Sequence, residues 1–149
     1  MAHHPALVAA WAPLRAHVVT ANALGPERQE VTILRVAARL NAPYEWAHHV
    51  DRAGKIGMSK DRIESIAGDP EGMSHEDALI AGAVDDLIDG TRLPQERSDA
   101  LQAVVGPEGV FDLLATVGFY TTLGYIVNSF DVPLDADIPP SAIPGRGGD

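Results

Sequence analysis

The sequence predicts an all-α domain of six or seven helices, and three observations carry that prediction. Apolar residues recur at the i, i+3, i+4, i+7 spacing of a helix packed on one side. Prolines, serines and glycines stand where helices start and stop. No stretch alternates apolar and polar residues convincingly enough to read as a strand. A chain of 149 residues is most simply one domain with a core of its own. Residues 1–135 are expected to form it, and 136–149 an irregular tail.

Leu7, Val8, Trp11, Leu14 and Val18 make the apolar stripe of a first helix from Pro5 to about Ala21, with Pro13 a possible kink. Gly25-Pro26 breaks it, and Pro26 suits the first turn of a helix running to Leu40. Pro43 starts the next, ended by Gly54 and Gly57. Ser59 is a candidate N-cap for a short helix with Ile63 and Ile66 inward. Asp69-Pro70-Glu71-Gly72 reads as a loop. Ser74, with Asp77 three positions on, resembles a capping box. The helix behind it should bury Leu79, Ile80, Val84, Leu87 and Ile88 and close at Gly90. A further helix is expected from Pro94 to Val105, stopped by Gly106, and a last one from Pro107 to Ser129. From Asp131 onward, four prolines and three glycines predict irregular chain that is mobile at its end.

Composition excludes several functions. With 11 basic against 21 acidic residues the net charge is −10, which argues against nonspecific binding of nucleic acid or of an anionic membrane. An anionic substrate would be repelled at long range and would need local positive groups. Cysteine is absent, so thiol catalysis, disulfides and cysteine metal sites are ruled out. No basic and apolar leader follows Met-Ala-His-His-Pro, and a cytoplasmic location is expected. Leu113 to Phe130 carries no charge but holds Thr116, Thr121, Thr122 and Asn128. It is read as a central core helix that is also buried in an oligomer, not as a membrane span.

The candidate site begins at Glu30, at the head of the apolar run Val31 to Leu40. A carboxylate there needs a partner or a proton. The following helix offers Glu45, His48 and His49. Glu45 and His49 lie four apart, about 40° round an ideal helix and within reach of each other. Two carboxylates and an imidazole in an apolar setting suit proton transfer. Simpler roles exist for each: Glu30 and Glu45 as first-turn acids favoured by the helix dipole, His49 as a hydrogen-bonded core histidine. Arg35 and Arg39 point away from Glu30 and are read as partners of solvent, tail or another subunit. Asp85-Asp86 reads as a solvated edge, His3 and His4 as idle, His17 and His75 as surface or capping residues. Glu45-Trp46-Ala47-His48 has the Glu-x-x-His spacing of diiron helices, but no second such pair exists. A mononuclear site from Glu30, Glu45 and a histidine fits by ligand type alone.

Glu30, the helix to Leu40, Tyr44-Glu45-Trp46 with His49, and the late Val117-Gly118-Phe119-Tyr120-Thr121 through Asn128 to Leu134 resemble the carboxymuconolactone decarboxylase family, related to alkylhydroperoxidase D. The resemblance spans about residues 5–135. It implies an alkylhydroperoxidase D-like helical fold, assembled as a homotrimer or homohexamer with sites near subunit contacts. Peroxidase members carry Cys-x-x-Cys between the glutamate and the histidine; Ala42 and Glu45 hold those positions here, so their thiol chemistry does not transfer.

The decarboxylase branch uses no cofactor and removes CO2 from a lactone acid, leaving a delocalised carbanion. That requires an apolar pocket, donors for the oxyanion and an acid to protonate carbon. The resemblance assigns His49 as proton donor or shuttle, Glu45 as the group that tunes it, and Glu30 as second base or anchor. Tyr44, Trp46 and His48 are assigned to binding a small-molecule substrate, and no metal or cofactor is expected. Isomerisation or dehydration of a related carbonyl compound remains open, as do a non-catalytic binding or assembly protein and a Glu/His metal enzyme.

Overall fold

Residues 3–146 are described by a computed structural model of the chain; Met1-Ala2 and the last three residues of the tail lie outside them. Among the described residues the structure is all-helical: α1 Pro5–Ala16, α2 Pro26–Leu40, α3 Pro43–Lys55, α4 Lys60–Ser65, α5 His75–Gly90 and α6 Gln95–Ser129.

Helix α2 is the centre. It packs against α3, α5 and α6, which explains why nearly its whole circumference is buried from Gln29 to Ala38. Its C-terminus is set by Asn41 in the left-handed region (φ 49°), whose N–H bonds back to Ala37 and Ala38. Asn tolerates that conformation better than most residues. Ala42 and Pro43 then open α3 at once, so α2 and α3 form a tight antiparallel pair. Helix α6 closes on this corner through Gly124: a Cβ there would lie 3.0 Å from Leu40 Cδ1. The missing side chain lets the helices touch, which offsets the helix-propensity cost of glycine.

Several starts and stops fall where the sequence places them. Ser59 accepts from the Arg62 N–H and Ser74 from the Asp77 N–H, and Ile63 and Ile66 are buried. Others differ. The first helix ends at Ala16, and His17–Ala21 wind as a π-helical turn. The cause is distant: Asp112 of α6 accepts from the Ala23 N–H at 2.6 Å and meets His17 Nε2 at 2.7 Å. Pro13 sits within α1, and none of the residues of α1 is buried; of the expected inward stripe only Val18, in the π turn, is. His4 is not idle, because its ring accepts from the Leu7 N–H and caps α1. Helix α5 closes on Thr91, not Gly90, in the left-handed region. Gly106, by contrast, separates two helices as expected: its φ of 73° and ψ of 171° are not helical and favour a glycine, and the segments on either side are labelled together as α6. By length and composition α6 could cross a membrane, yet only 39% of its most apolar stretch is buried inside the chain. It packs against α2 and puts Leu113, Val117, Phe119 and Tyr120 into the core, while the rest of its apolar surface is uncovered within the chain.

The arginines are also corrected. Arg35 is buried and serves the chain's own core: its Nε and Nη2 grip Asp85 at 2.8 and 2.6 Å, and its Nη1 reaches the carbonyls of Ile66 and Gly68. Arg39 pairs with Asp85 and Asp89. Asp86 is held by Arg97. The expected solvated acidic edge is therefore a seam that ties α5 to α2 through Asp85 and to α6 through Asp86. The tail is irregular but packed, with Ile143 buried in the core.

Candidate active site

Three helices bring titratable groups to one point. Helix α2 carries Glu30 and α3 carries Glu45 and His49; these are 9%, 4% and 2% exposed. The Asn41-Ala42 turn folds α3 back along α2, so residues 19 apart in sequence meet: Glu30 Oε2 lies 2.6 Å from His49 Nδ1. The opposite ring nitrogen, Nε2, faces Glu45 Oε2 at 3.8 Å, too far for a hydrogen bond. Glu45 Oε1 is buried with no hydrogen-bond partner.

Burial pushes the Glu45 carboxyl above the ordinary range, against the opposing pull of His49, His48 and Arg52. A buried carboxylate with one bare oxygen is costly when ionised, so the proton stays on to higher pH. Tyr120 of α6 closes the third side, its ring edge-on to His49 with centroids 5.1 Å apart. Burial first, then the charge of Glu45, drives the Tyr120 hydroxyl well up, so it remains a donor at all ordinary pH.

Glu30, Glu45 and His49 are therefore brought together; Tyr44, His48 and Trp46 are not part of that cluster. His48 Nε2 meets Asp135 of the tail at 3.0 Å, and the Tyr44 hydroxyl donates weakly to the same carboxylate at 3.4 Å. Trp46 is buried and lines a cavity of about 270 Å3 together with Val50, Met58, Ser141 and Ala142. Tyr44 lines a larger one of about 970 Å3 between the α2–α3 turn, the end of α6 and the tail. Helix periodicity separates these residues: only 45 and 49 share the face turned to Glu30. Five cavities among the described residues are lined by other side chains and not by Glu30, Glu45 or His49.

Tyr120 and Arg52 were given no role from sequence. Tyr120 was legible as a polar tip in a charge-free helix, a residue that needs a partner when buried. Arg52 stands seven after Glu45, on the same face of α3. Among the described residues no group of three or more His, Asp and Glu is arranged to hold a metal ion. The two carboxylates address opposite nitrogens of one ring, so the three side chains do not converge on a common point.

Fold and site together define an all-helical domain built round a cysteine-free carboxylate–imidazole–carboxylate cluster. The profile of the carboxymuconolactone decarboxylase family matches residues 5–83, just over half the chain, and the chain belongs to that family. The match holds Glu30, Glu45 and His49 and stops before the late segment from Val117 to Leu134. A comparison with curated proteins gives no match.

Proposed function

We propose that this protein is a cofactor-independent acid–base enzyme acting on a small carbonyl or lactone acid, by decarboxylation or a related lyase or isomerase step. One observation carries the reading: His49 is held at Nδ1 by Glu30, while Nε2 faces a carboxyl that burial keeps protonated to higher pH. An ionised Glu30 accepts from Nδ1–H, which orients the ring and leaves the Nε2 lone pair toward Glu45. Of the two roles expected for Glu30 this takes the anchor, while Glu45, expected to tune the ring, shares its reactive side.

In a decarboxylation the bond between CO2 and the α-carbon breaks, and its electron pair passes into the adjacent carbonyl as an enolate. The Glu45 carboxyl, or an Nε2–H imidazolium, then returns a proton to carbon. In an isomerisation Nε2 first removes the proton and Glu45 supplies one at the far end of the conjugated system. Proton transfer of this kind is worth ~100- to 10,000-fold. The chain is further proposed to work in the cytoplasm as a homotrimer or homohexamer, its exposed apolar side chains covered by neighbours.

Deuterium exchange tests the chemistry without a known product. Wild type in D2O should incorporate deuterium beside the carbonyl of an oxo acid or unsaturated lactone acid, and His49→Ala and Glu45→Gln should lose ~100-fold or more. Equal exchange in all three removes these residues from any proton transfer. A non-catalytic binding or assembly protein is the second reading, favoured by the near-complete burial of Glu30, Glu45 and His49. It expects no exchange in any of the three.

A further inference from the structure

Tyr44, Trp46 and His48 take no part in the His49 cluster, yet each meets the tail or lines a cavity beside it. Tyr44 lines the cavity of about 970 Å3 and Trp46 the one of about 270 Å3. Ser141 and Ala142 line both, so the tail forms a wall common to the two. That wall is lightly held. At one end Asp135 meets His48 and Tyr44, and its side chain is 60% exposed; an ion pair so open to water contributes little. At the other end Ile143 is buried in the core. Between them Pro139 and Pro140 have no N–H to donate, and among the described residues no backbone hydrogen bond joins 139–142 to a helix. The segment is a strap pinned at two points.

Beside the strap lies a donor that the fold does not use. Trp46 is 1% exposed, and its indole Nε1–H is enclosed with no hydrogen-bond partner among the described residues. A buried donor left unpaired is costly, and native structures keep few of them. Its cavity is walled by Val50, Met58 and Ile63, while the two charged lining residues, Lys60 and Glu64, pair with each other at 3.6 Å. The charged lining residue of the larger cavity is Asp131. Neither space suits an anion.

We propose that the space on both sides of the strap is one small-molecule site, which takes a neutral, mainly apolar compound with a single acceptor oxygen, such as an aryl ketone. The strap shifts to admit it, Val50 and Met58 cover its apolar body, and the Trp46 N–H donates to its oxygen. The site is distinct from the proton-transfer cluster. On an ideal helix Trp46 stands about 60° to 100° round α3 from His49 and Glu45, whose face is the one turned to Glu30. The proposal therefore holds whether or not the cluster moves protons.

The chain has two tryptophans, so the Trp46 indole N–H gives one of two side-chain signals in nitrogen-15 spectra, with Trp11 as internal control. The probes are acetophenone, α-methylstyrene, which replaces the carbonyl oxygen by a methylene, and benzoate, which adds a charge. Acetophenone should move the Trp46 signal downfield to saturation and leave Trp11 in place, and benzoate should bind at least about ten-fold more weakly. Trp46→Phe, followed on the Met58 methyl signal, should weaken acetophenone about ten-fold and α-methylstyrene by no more than about two-fold. Because Trp46 is a core residue, a second variant acts from the exposed tail position 142. Ala142→Trp should fill the space and abolish the acetophenone shift at Trp46, with helical circular dichroism unchanged. A Trp46 signal indifferent to acetophenone, benzoate bound as tightly as the ketone, equal losses for ketone and hydrocarbon in Trp46→Phe, or a shift that survives Ala142→Trp overturns the proposal.

Discussion

Glu30 Oε2 and His49 Nδ1 stand 2.6 Å apart although their helices enter the site from opposite ends of a two-residue turn. The ring is thus held by a partner that the fold brings to it. The expected consequence is a single tautomer, Nδ1–H, visible in the nitrogen shifts of the His49 ring. Glu30→Ala should mix the tautomers and lower proton exchange by ~10- to 100-fold, as loss of an orienting partner does in histidine-centred sites. A fixed tautomer in Glu30→Ala, with exchange intact, would show that Glu30 is merely a packed carboxyl.

Glu45 predicts a pH-dependent gain of stability. Its folded-state carboxyl is raised above the ordinary 4.5, chiefly by burial. Such a group contributes fully below the unfolded value, and the contribution is lost as pH rises through the folded one. At neutral pH and above it therefore weakens the native state relative to a neutral isostere. Glu45→Gln should raise Tm by a few degrees at pH 8 and by much less at pH 4, while exchange collapses. Calorimetry at the two pH values decides it, and the same increment at both contradicts the assignment.

The Arg35–Asp85 seam predicts the opposite response to acid. Burial acts to raise the Asp85 carboxyl, but its hydrogen bonds with Arg35 and Arg39 outweigh that and hold it below the ordinary 3.8. The associated stability is present above that value and is lost as pH falls through the lowered one. Arg35→Ala should cost ~3–5 kcal/mol in urea unfolding, because it leaves a half-buried carboxylate and two carbonyls without their donor. Asp85→Asn should flatten the loss of stability below pH 4. An Arg35→Ala cost under ~1 kcal/mol would place the pair with ordinary surface bridges.

These contrasts explain what could be read from the sequence. Pro26, Pro43, Ser59 and Ser74 announce helix starts because capping is decided within three or four residues. Glu30, Glu45 and His49 were legible because a charge in an apolar helix needs a partner, and the nearest partners lay one short turn away. The π turn at His17–Ala21 was not legible, since it depends on Asp112 some 90 residues later. Arg35 was misread for the same reason: its partner sits on α5, and its direction from Glu30 says only where it does not point. Thr91 rather than Gly90 takes the left-handed position. The burial of Ile143, in a tail rich in proline and glycine, depends on a core assembled from distant helices.

Helix α1 supplies the last prediction. None of its residues is buried, although Leu7 and Leu14 are spaced as a packed face would be and stand 39% and 41% exposed. On α6, Phe111 is 72% exposed, Tyr125 also projects outward and Gly118 has open space where a side chain would be, and Phe130 just past its end is 76% exposed. Single exposed apolar residues are ordinary, but an uncovered stripe on one helix and aromatics along another mark surfaces that associate. A second copy of this chain is the proposed cover. Wild type should sediment as three or six chains, and Leu7→Gln with Leu14→Gln should shift it toward smaller species. Helical circular dichroism should be unchanged, because those leucines contribute little to the subunit's own core. A wild type that sediments as a single chain sinks the assembly, and with it the expectation that a neighbour completes the closed cluster around His49.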